Sequence, residues 1–89
     1  MGMVIVRHKV KDYAAWRPVF DGHAGAQKAA GLSNPRVHRS ADDKNEIVIV
    51  FDTKDTKMAK DFAASPGLKE AMMKAGVVDV PTIYFLEAV

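Results

Sequence analysis

The 89-residue sequence predicts an α+β chain of order βαββαβ, and three observations carry that prediction. Short runs rich in Val and Ile stand near the start, the middle and the end: MVIVRHKV, EIVIVFDT and TIYFLE. Between them lie two stretches whose apolar residues recur every three or four positions, the spacing of a helix with one buried side. Gly, Pro, Asp and Ser cluster at the joins, where turns and helix ends need them.

Residues 3–10 read as the first strand. Asp12 then offers a side-chain oxygen as N-cap to a helix carrying Tyr13, Trp16, Phe20, His23, Ala24 and Gln27 on one stripe, and Gly31 is placed to end it. Pro18 has no N–H to give residue 14, so the helix either begins in earnest near Arg17 or bends there. RVHRS (36–40) reads as a short second strand, the turn formers ADDKNE follow, and EIVIVFDT completes a hairpin. Asp55 caps a short helix bearing Met58, Ala59 and Phe62; Ser65-Pro66 starts another, with Leu68, Ala71, Met72 and Ala75 inward. Phe62, Leu68 and Met72 are expected core residues. Gly76 stops that helix and Pro81 introduces the last strand.

Such an order builds one ferredoxin-like domain over residues 1–89, a four-stranded antiparallel sheet with its helices on one face. Alternation along each strand assigns the faces. Ile47, Ile49 and Phe51, Ile83 and Phe85, and Met3 and Ile5 are expected under the helices. Val4, Val6, His8 and Val10, Arg36 and His38, Val48 and Val50, and Thr82, Tyr84 and Leu86 are expected on the other face. That second set is too apolar to stay uncovered. A register displaced by one residue in the first strand would reverse its assignment: Arg7 and Lys9 would then face the far side, and His8 would lie under a helix.

Composition narrows the function classes. Apolar residues make up 48% of the chain and the net charge is +2, with the signs mixed along the sequence, so no basic stripe tracks a nucleic-acid backbone. Cysteine is absent, which removes disulfides, thiolate nucleophiles and cysteine metal sites. No apolar run approaches the length that crosses a bilayer, and the expected location is the cytoplasm. Among other βαββαβ domains, RNA-recognition modules need stacking aromatics on the central strands, and copper carriers need paired cysteines. Acylphosphatase-like chemistry needs a glycine-rich anion loop, which VKDYAAW does not provide.

Two stretches, VRHKVKDYAAWRPVFDGHA and SPGLKEAMMKAGVVDVPTIYFLE, resemble the small bacterial proteins of the dimeric α/β-barrel group, related to antibiotic-biosynthesis monooxygenases and often called cyclase-like. The resemblance runs over nearly the whole chain. It implies a homodimer in which two sheets face each other as a barrel, with a pocket inside the barrel or between sheet and helices. The group holds cofactor-independent oxygenases, haem-degrading enzymes, isomerases, dehydratases and proteins without known activity, so it does not fix the chemistry.

His8 is the leading candidate. By alternation it shares a face with Tyr84 and His38, where a neutral imidazole beside a phenol can move protons to or from a bound phenol or enol. The plainer reading is a core or interface histidine held by one hydrogen bond. Trp16, on the helical stripe, reads as core and as a pocket wall, and His38 as a ligand-binding neighbour. His23 follows Phe20 by one turn and has no evident partner. No HxH or HxxxH pair brings two histidines together, so neither a metal nor a cofactor is expected. Two functions are therefore weighed. One is a cofactor-independent oxygenase or cyclase-like enzyme acting on a small aromatic or polyketide-like molecule, with His8 and Tyr84 as its catalytic pair; the other is a non-catalytic dimer that binds a small apolar ligand or serves as an accessory subunit.

Overall fold

The computed structural model describes residues 2–89. Its elements are β1 (Gly2–Lys9), α1 (Tyr13–Gly22), α2 (Ala24–Ala29), β2 (Leu32–Arg39), β3 (Glu46–Thr53), α3 (Thr56–Ala63), α4 (Pro66–Lys74) and β4 (Thr82–Glu87). The four strands form one antiparallel sheet in the order β2-β3-β1-β4, the ferredoxin-like arrangement. The helix starts follow the sequence closely. Asp12 accepts a hydrogen bond from the Ala14 N–H at 3.1 Å, Asp55 from that of Lys57 at 2.9 Å, and Ser65 from that of Leu68 at 3.3 Å. Gly31 and Gly76, with φ of +82° and +83°, carry the chain out of α2 and α4 in the left-handed conformation that glycine adopts without strain.

Two boundaries differ from expectation. The long first helix is broken at His23 rather than at Pro18. Pro18 and Ala14 both lie on the exposed side of α1, where water can serve the carbonyl that Pro18 leaves without a donor. The break falls instead beside Gly22, a weak helix former. The second strand starts at Leu32, four residues earlier than its apolar pattern suggests, because an irregularity between Ser33 and Arg36 interrupts the pairing. Asn34 at φ 50° and Pro35 give that stretch the look of a loop.

The larger correction concerns β1. Its register sets Val4 opposite Phe51, Val6 opposite Ile49 and His8 opposite Ile47, so these three share the helix-covered face with the apolar side of β3. Val4, Val6, His8 and Val10 are all buried, whereas Met3, Ile5, Arg7 and Lys9 lie on the open face. The assignments of β3 and β4 hold, with Ile47, Ile49, Phe51, Ile83 and Phe85 turned toward the helices. Val4 and Val6 therefore do not belong to the surface expected to meet a second copy. Charge gives the reason: Arg7 and Lys9 share the parity of Met3 and Ile5, and a face roofed by helices would have to desolvate both.

The core is one apolar cluster in which Ile47, 0% exposed, is joined by Val4, Ile49, Phe51, Trp16 and Ala59. Phe62 and Met72 pack against this cluster half-buried, whereas Leu68 at the start of α4 is half-buried outside it. Ile47→Ala should lower the unfolding free energy by about 2–5 kcal/mol. Urea denaturation measures this, and a midpoint equal to that of the parent chain would refute the assignment of this face as core.

Candidate functional site

Under the helices the core leaves a cavity of about 80 Å³. Its floor is the helix side of β1 and β3, through Val4, Val6, Ile49 and Phe51, and its roof comes from Trp16 and Phe20 of α1 and from Phe62, Leu68 and Met72 of α3 and α4. The roof residues fall at the helical steps that bring them to one side, and the floor residues alternate as a pleated sheet requires. Three polar side chains interrupt the apolar lining: His8, His23 and Gln27.

His8 projects from β1 against α1, where its ring meets Trp16 edge to face with centroids 5.7 Å apart. It is 2% exposed, and its Nδ1 is buried with no hydrogen-bond partner among the described residues. A buried polar atom without a partner costs on the order of 1–3 kcal/mol. The cavity that the His8 side chain lines is several times the roughly 10–15 Å³ that one water requires, while Nδ1 itself has almost no surface open to it. Burial pushes the His8 pKa below the ordinary histidine value, while the Asp79 carboxylate pulls the other way. At neutral pH the ring is therefore an uncharged group able to accept a proton.

Trp16 lies in a row of aromatic rings. It stacks on Phe20 at 4.9 Å and leans on Tyr13 at 5.8 Å, and the Arg39 guanidinium covers Tyr13 at 4.2 Å from the ring centre. The row fixes the tryptophan as a rigid wall of the cavity. His23, at the junction of α1 and α2, is half-buried, and its Nδ1 too is buried without a partner. Gln27 follows one turn later at 9% exposure.

The sheet separates the other expected members from His8. Tyr84 pairs with Ile5 on the open face and is 54% exposed, and His38, opposite Val48, also stands on that face and is exposed. The grouping of His8 with Tyr84 and His38 fails for the reason that displaced β1: one step of register moves a side chain through the sheet. Among the described residues no group of three or more His, Asp or Glu side chains gathers to hold a metal. Sequence reasoning gave His23 and Gln27 no role. The signal was present, since Trp16, Phe20, His23 and Gln27 all fall on one helical stripe and the last two are polar where the first two are core.

The open face has a different character. Ile5, Val48 and Val50 form an apolar middle with Met3, Tyr84 and Leu86 beside it. Charges toward its margins are paired on the chain itself. Arg7 donates to Glu46 at 3.0 Å, Lys9 lies 3.7 Å from Asp43, and Arg36 binds Asp52 at 3.1 Å. Arg36, with help from Asn34, holds the Asp52 carboxyl below the usual carboxylate range.

Solved structures share this architecture over the full chain. A candidate antibiotic biosynthesis monooxygenase of Bordetella bronchiseptica superposes with a TM-score of 0.79 at 18% identity, covering 100% of this chain and 99% of its own. One from Caulobacter crescentus gives 0.74 at 23% identity, covering 99% and 91%. The fold is that of the antibiotic biosynthesis monooxygenases. SnoaB of Streptomyces nogalater, described as a cofactor-independent oxygenase, matches at 0.72 with 19% identity, covering 98% of this chain and 91% of its own. No family model and no curated protein sequence matches the chain. At these identities the likeness shows the fold, and the chemistry rests on the residues in the cavity.

Titration of His8 is linked to stability with a definite sign. Its pKa is lowered on folding, so the unfolded chain binds the proton more readily. The contribution of His8 is complete above the unfolded value of about 6.5 and is lost as pH falls from there through the lower folded value. The melting temperature should accordingly drop between pH 7.5 and pH 5, and His8→Leu should remove part of that drop. Parallel slopes for the two proteins would contradict a buried neutral His8.

Proposed function

We propose that the protein is a homodimer that binds a small aromatic molecule in the cavity beneath Trp16 and acts on it as a cofactor-independent monooxygenase-like enzyme, with His8 as the proton acceptor. The observation that carries this reading is a 2% exposed histidine ring, held uncharged by burial, in the lining of a mostly apolar cavity. A phenol or enol seated against Trp16 can bring its hydroxyl to that ring. The proton passes from the hydroxyl oxygen to the imidazole, and the charge growing on the oxygen favours the imidazolium that burial alone disfavours. The resulting phenolate or enolate is electron-rich enough to reduce dioxygen directly. For net monooxygenation the substrate loses two hydrogens and gains one oxygen atom as a carbonyl, and the second oxygen leaves as water.

Assembly rests on the open face of the sheet. An apolar centre of Ile5, Val48 and Val50 with self-neutralised charges near its margin suits a second copy of the same surface, related by a two-fold axis. Closing two such sheets on each other would bury on the order of 2,000 Å².

Both parts are open to direct measurement. Light scattering after gel filtration should give the mass of a dimer, and Val50→Asp should give a monomer; a monomeric parent chain would overturn the assembly. Trp16 is the only tryptophan, so a nitrophenol entering the cavity should quench its fluorescence. The absorption of that nitrophenol should shift toward its phenolate on binding, and His8→Leu should leave the quenching while abolishing the shift. A phenolate band unaffected by loss of His8 would exclude it as the base.

A further inference from the structure

The stretch that joins α1 to β2 closes part of the cavity and is held down by little. Residues 21–31, DGHAGAQKAAG, contain no apolar side chain larger than alanine, although Phe20 before them and Leu32 after them both line the cavity. Within the stretch α2 buries one residue, Gln27, which together with His23 forms its share of the cavity wall. Ala24, Gly25, Ala26, Lys28 and Ala29 are exposed, and Ala30, just past the helix, packs half-buried against the core through a single methyl group. A helix of six residues is too short to be stable without tertiary anchors, and α2, unlike α1, α3 and α4, begins without a side-chain cap. The closed position has a cost of its own, because it buries the His23 Nδ1 with no partner among the described residues. Glycines flank and interrupt the stretch. Gly31 carries the turn into β2 at a φ of +82°, but Gly22 and Gly25 lie in helical backbone with open space where a Cβ would stand. Neither conformation nor packing calls for glycine at these two positions, and its effect there is to weaken the helix.

From these observations we infer that α2 is a gate: it unwinds between Gly22 and Gly31, and the unwound form is the one that takes an aromatic molecule into the cavity. The inference rests on the ligand-binding reading above and adds to it the route of entry and the conformation that binds. Volume calls for a wall that moves. The cavity of about 80 Å³ is smaller than the roughly 150 Å³ that an engineered apolar cavity offers to benzene, so a ring enters only where a wall gives way. The other walls are tied down. The floor belongs to β1 and β3, which pair along their whole length, Trp16 and Phe20 are stacked on each other, and α3 is anchored by the buried Ala59 and capped by Asp55. Unwinding α2 gives up the burial of one polar side chain and a few helical hydrogen bonds, and it returns the His23 Nδ1 to water. When only the unwound form binds, the apparent affinity follows its population. Glycine at positions 22 and 25 raises that population, and alanine at both should lower it about tenfold.

Amide hydrogen exchange tests the gate without any ligand. In the parent chain the Gln27 and Ala30 amides, which donate to the His23 and Ala26 carbonyls, should exchange at least about a hundredfold faster than the amide of Ile49 in the middle of the sheet. Gly22→Ala combined with Gly25→Ala should slow the Gln27 and Ala30 amides about tenfold. Gly67→Ala is the control. Gly67 also stands in a helix, α4, with open space for a Cβ, so its replacement stabilises the domain outside the gate and should leave the Gln27 and Ala30 rates within about twofold. A second arm follows the quenching of Trp16 fluorescence by nitrophenol, which the double variant should bind about tenfold more weakly than the parent chain and Gly67→Ala equally well. Slowing of the Gln27 and Ala30 amides by Gly67→Ala as large as that in the double variant would mean that α2 opens only when the whole domain unfolds, and it would overturn the gate. Exchange of those amides at the Ile49 rate, or unweakened nitrophenol binding in the double variant, would overturn it as well and leave the aromatic-ligand reading in place. Failure of nitrophenol to quench any of the three proteins, with exchange as expected, would remove the aromatic-ligand reading and the gate's cargo, while the exchange pattern would still establish the opening of α2.

Discussion

His8 and Trp16 meet edge to face with their ring centres 5.7 Å apart, and the face of β1 that makes this contact is the core face. Strands β1 and β3 form the middle of the sheet, so the parity of β1 fixes what the helices cover and what they leave bare. With His8 inward, Val4 and Val6 complete the floor of a cavity whose other wall is the aromatic row of α1. With the same choice, Ile5 joins Val48 and Val50 on the open side, and Arg7 and Lys9 reach carboxylates there. One contact thus decides which side of the sheet bounds the cavity and which side is left as the open apolar face.

Electrostatics reinforces that choice. Turning β1 by one residue would place two cations beneath the helices and one imidazole outside. A histidine can shed its charge within the physiological range and be buried neutral, whereas guanidinium and ammonium groups carry theirs into any site they enter at that pH. On the open side Arg7 donates to Glu46 and stands 3.8 Å from Asp79, whose other oxygen accepts the Lys9 backbone N–H at 2.8 Å. Val78 in turn donates to the Lys9 carbonyl at 2.9 Å, so the segment before β4 is tied to the end of β1. His8 sits directly behind this tie, and the nearby Asp79 carboxylate moderates the fall of its pKa.

Most of the architecture is legible in the sequence because it is written in local chemistry. Asp12, Asp55 and Ser65 act as caps, Gly31 and Gly76 as stops, and EIVIVFDT and TIYFLE coincide with β3 and β4 residue for residue. Strand β1 resists because both of its parities are apolar over residues 3–6, and the deciding residues, Arg7, His8 and Lys9, can be read either as a site with flanking charges or as a core histidine between two solvated ones. Pairing settles it, and pairing is a property of β3, distant in sequence. The same non-locality hides the cavity. His23 and Gln27 read as the fading end of an amphipathic stripe until the break at His23 and the roof of α3 and α4 show that their side of the helix faces a space and not a packed wall.

The cavity and the open face are the two sides of the same strands, and this ties the proposed assembly to the proposed chemistry. Along β1 the floor residues Val4, Val6 and His8 alternate with Met3, Ile5 and Arg7, so a partner sheet pressed on the second set restrains the backbone that carries the first. A chain of this size leaves much of its surface in water and has one small core to hold its strands. Removing the open face from solvent adds apolar burial to the half of the sheet that the helices do not touch. The proposed proton transfer requires the His8 ring to be held in place relative to a bound hydroxyl, and its Nδ1 has no hydrogen-bond partner among the described residues to hold it. In the proposed reaction its orientation would come from Trp16 above and from the stiffness of β1 below, so a partner sheet on the opposite face would add to the precision of the proposed site.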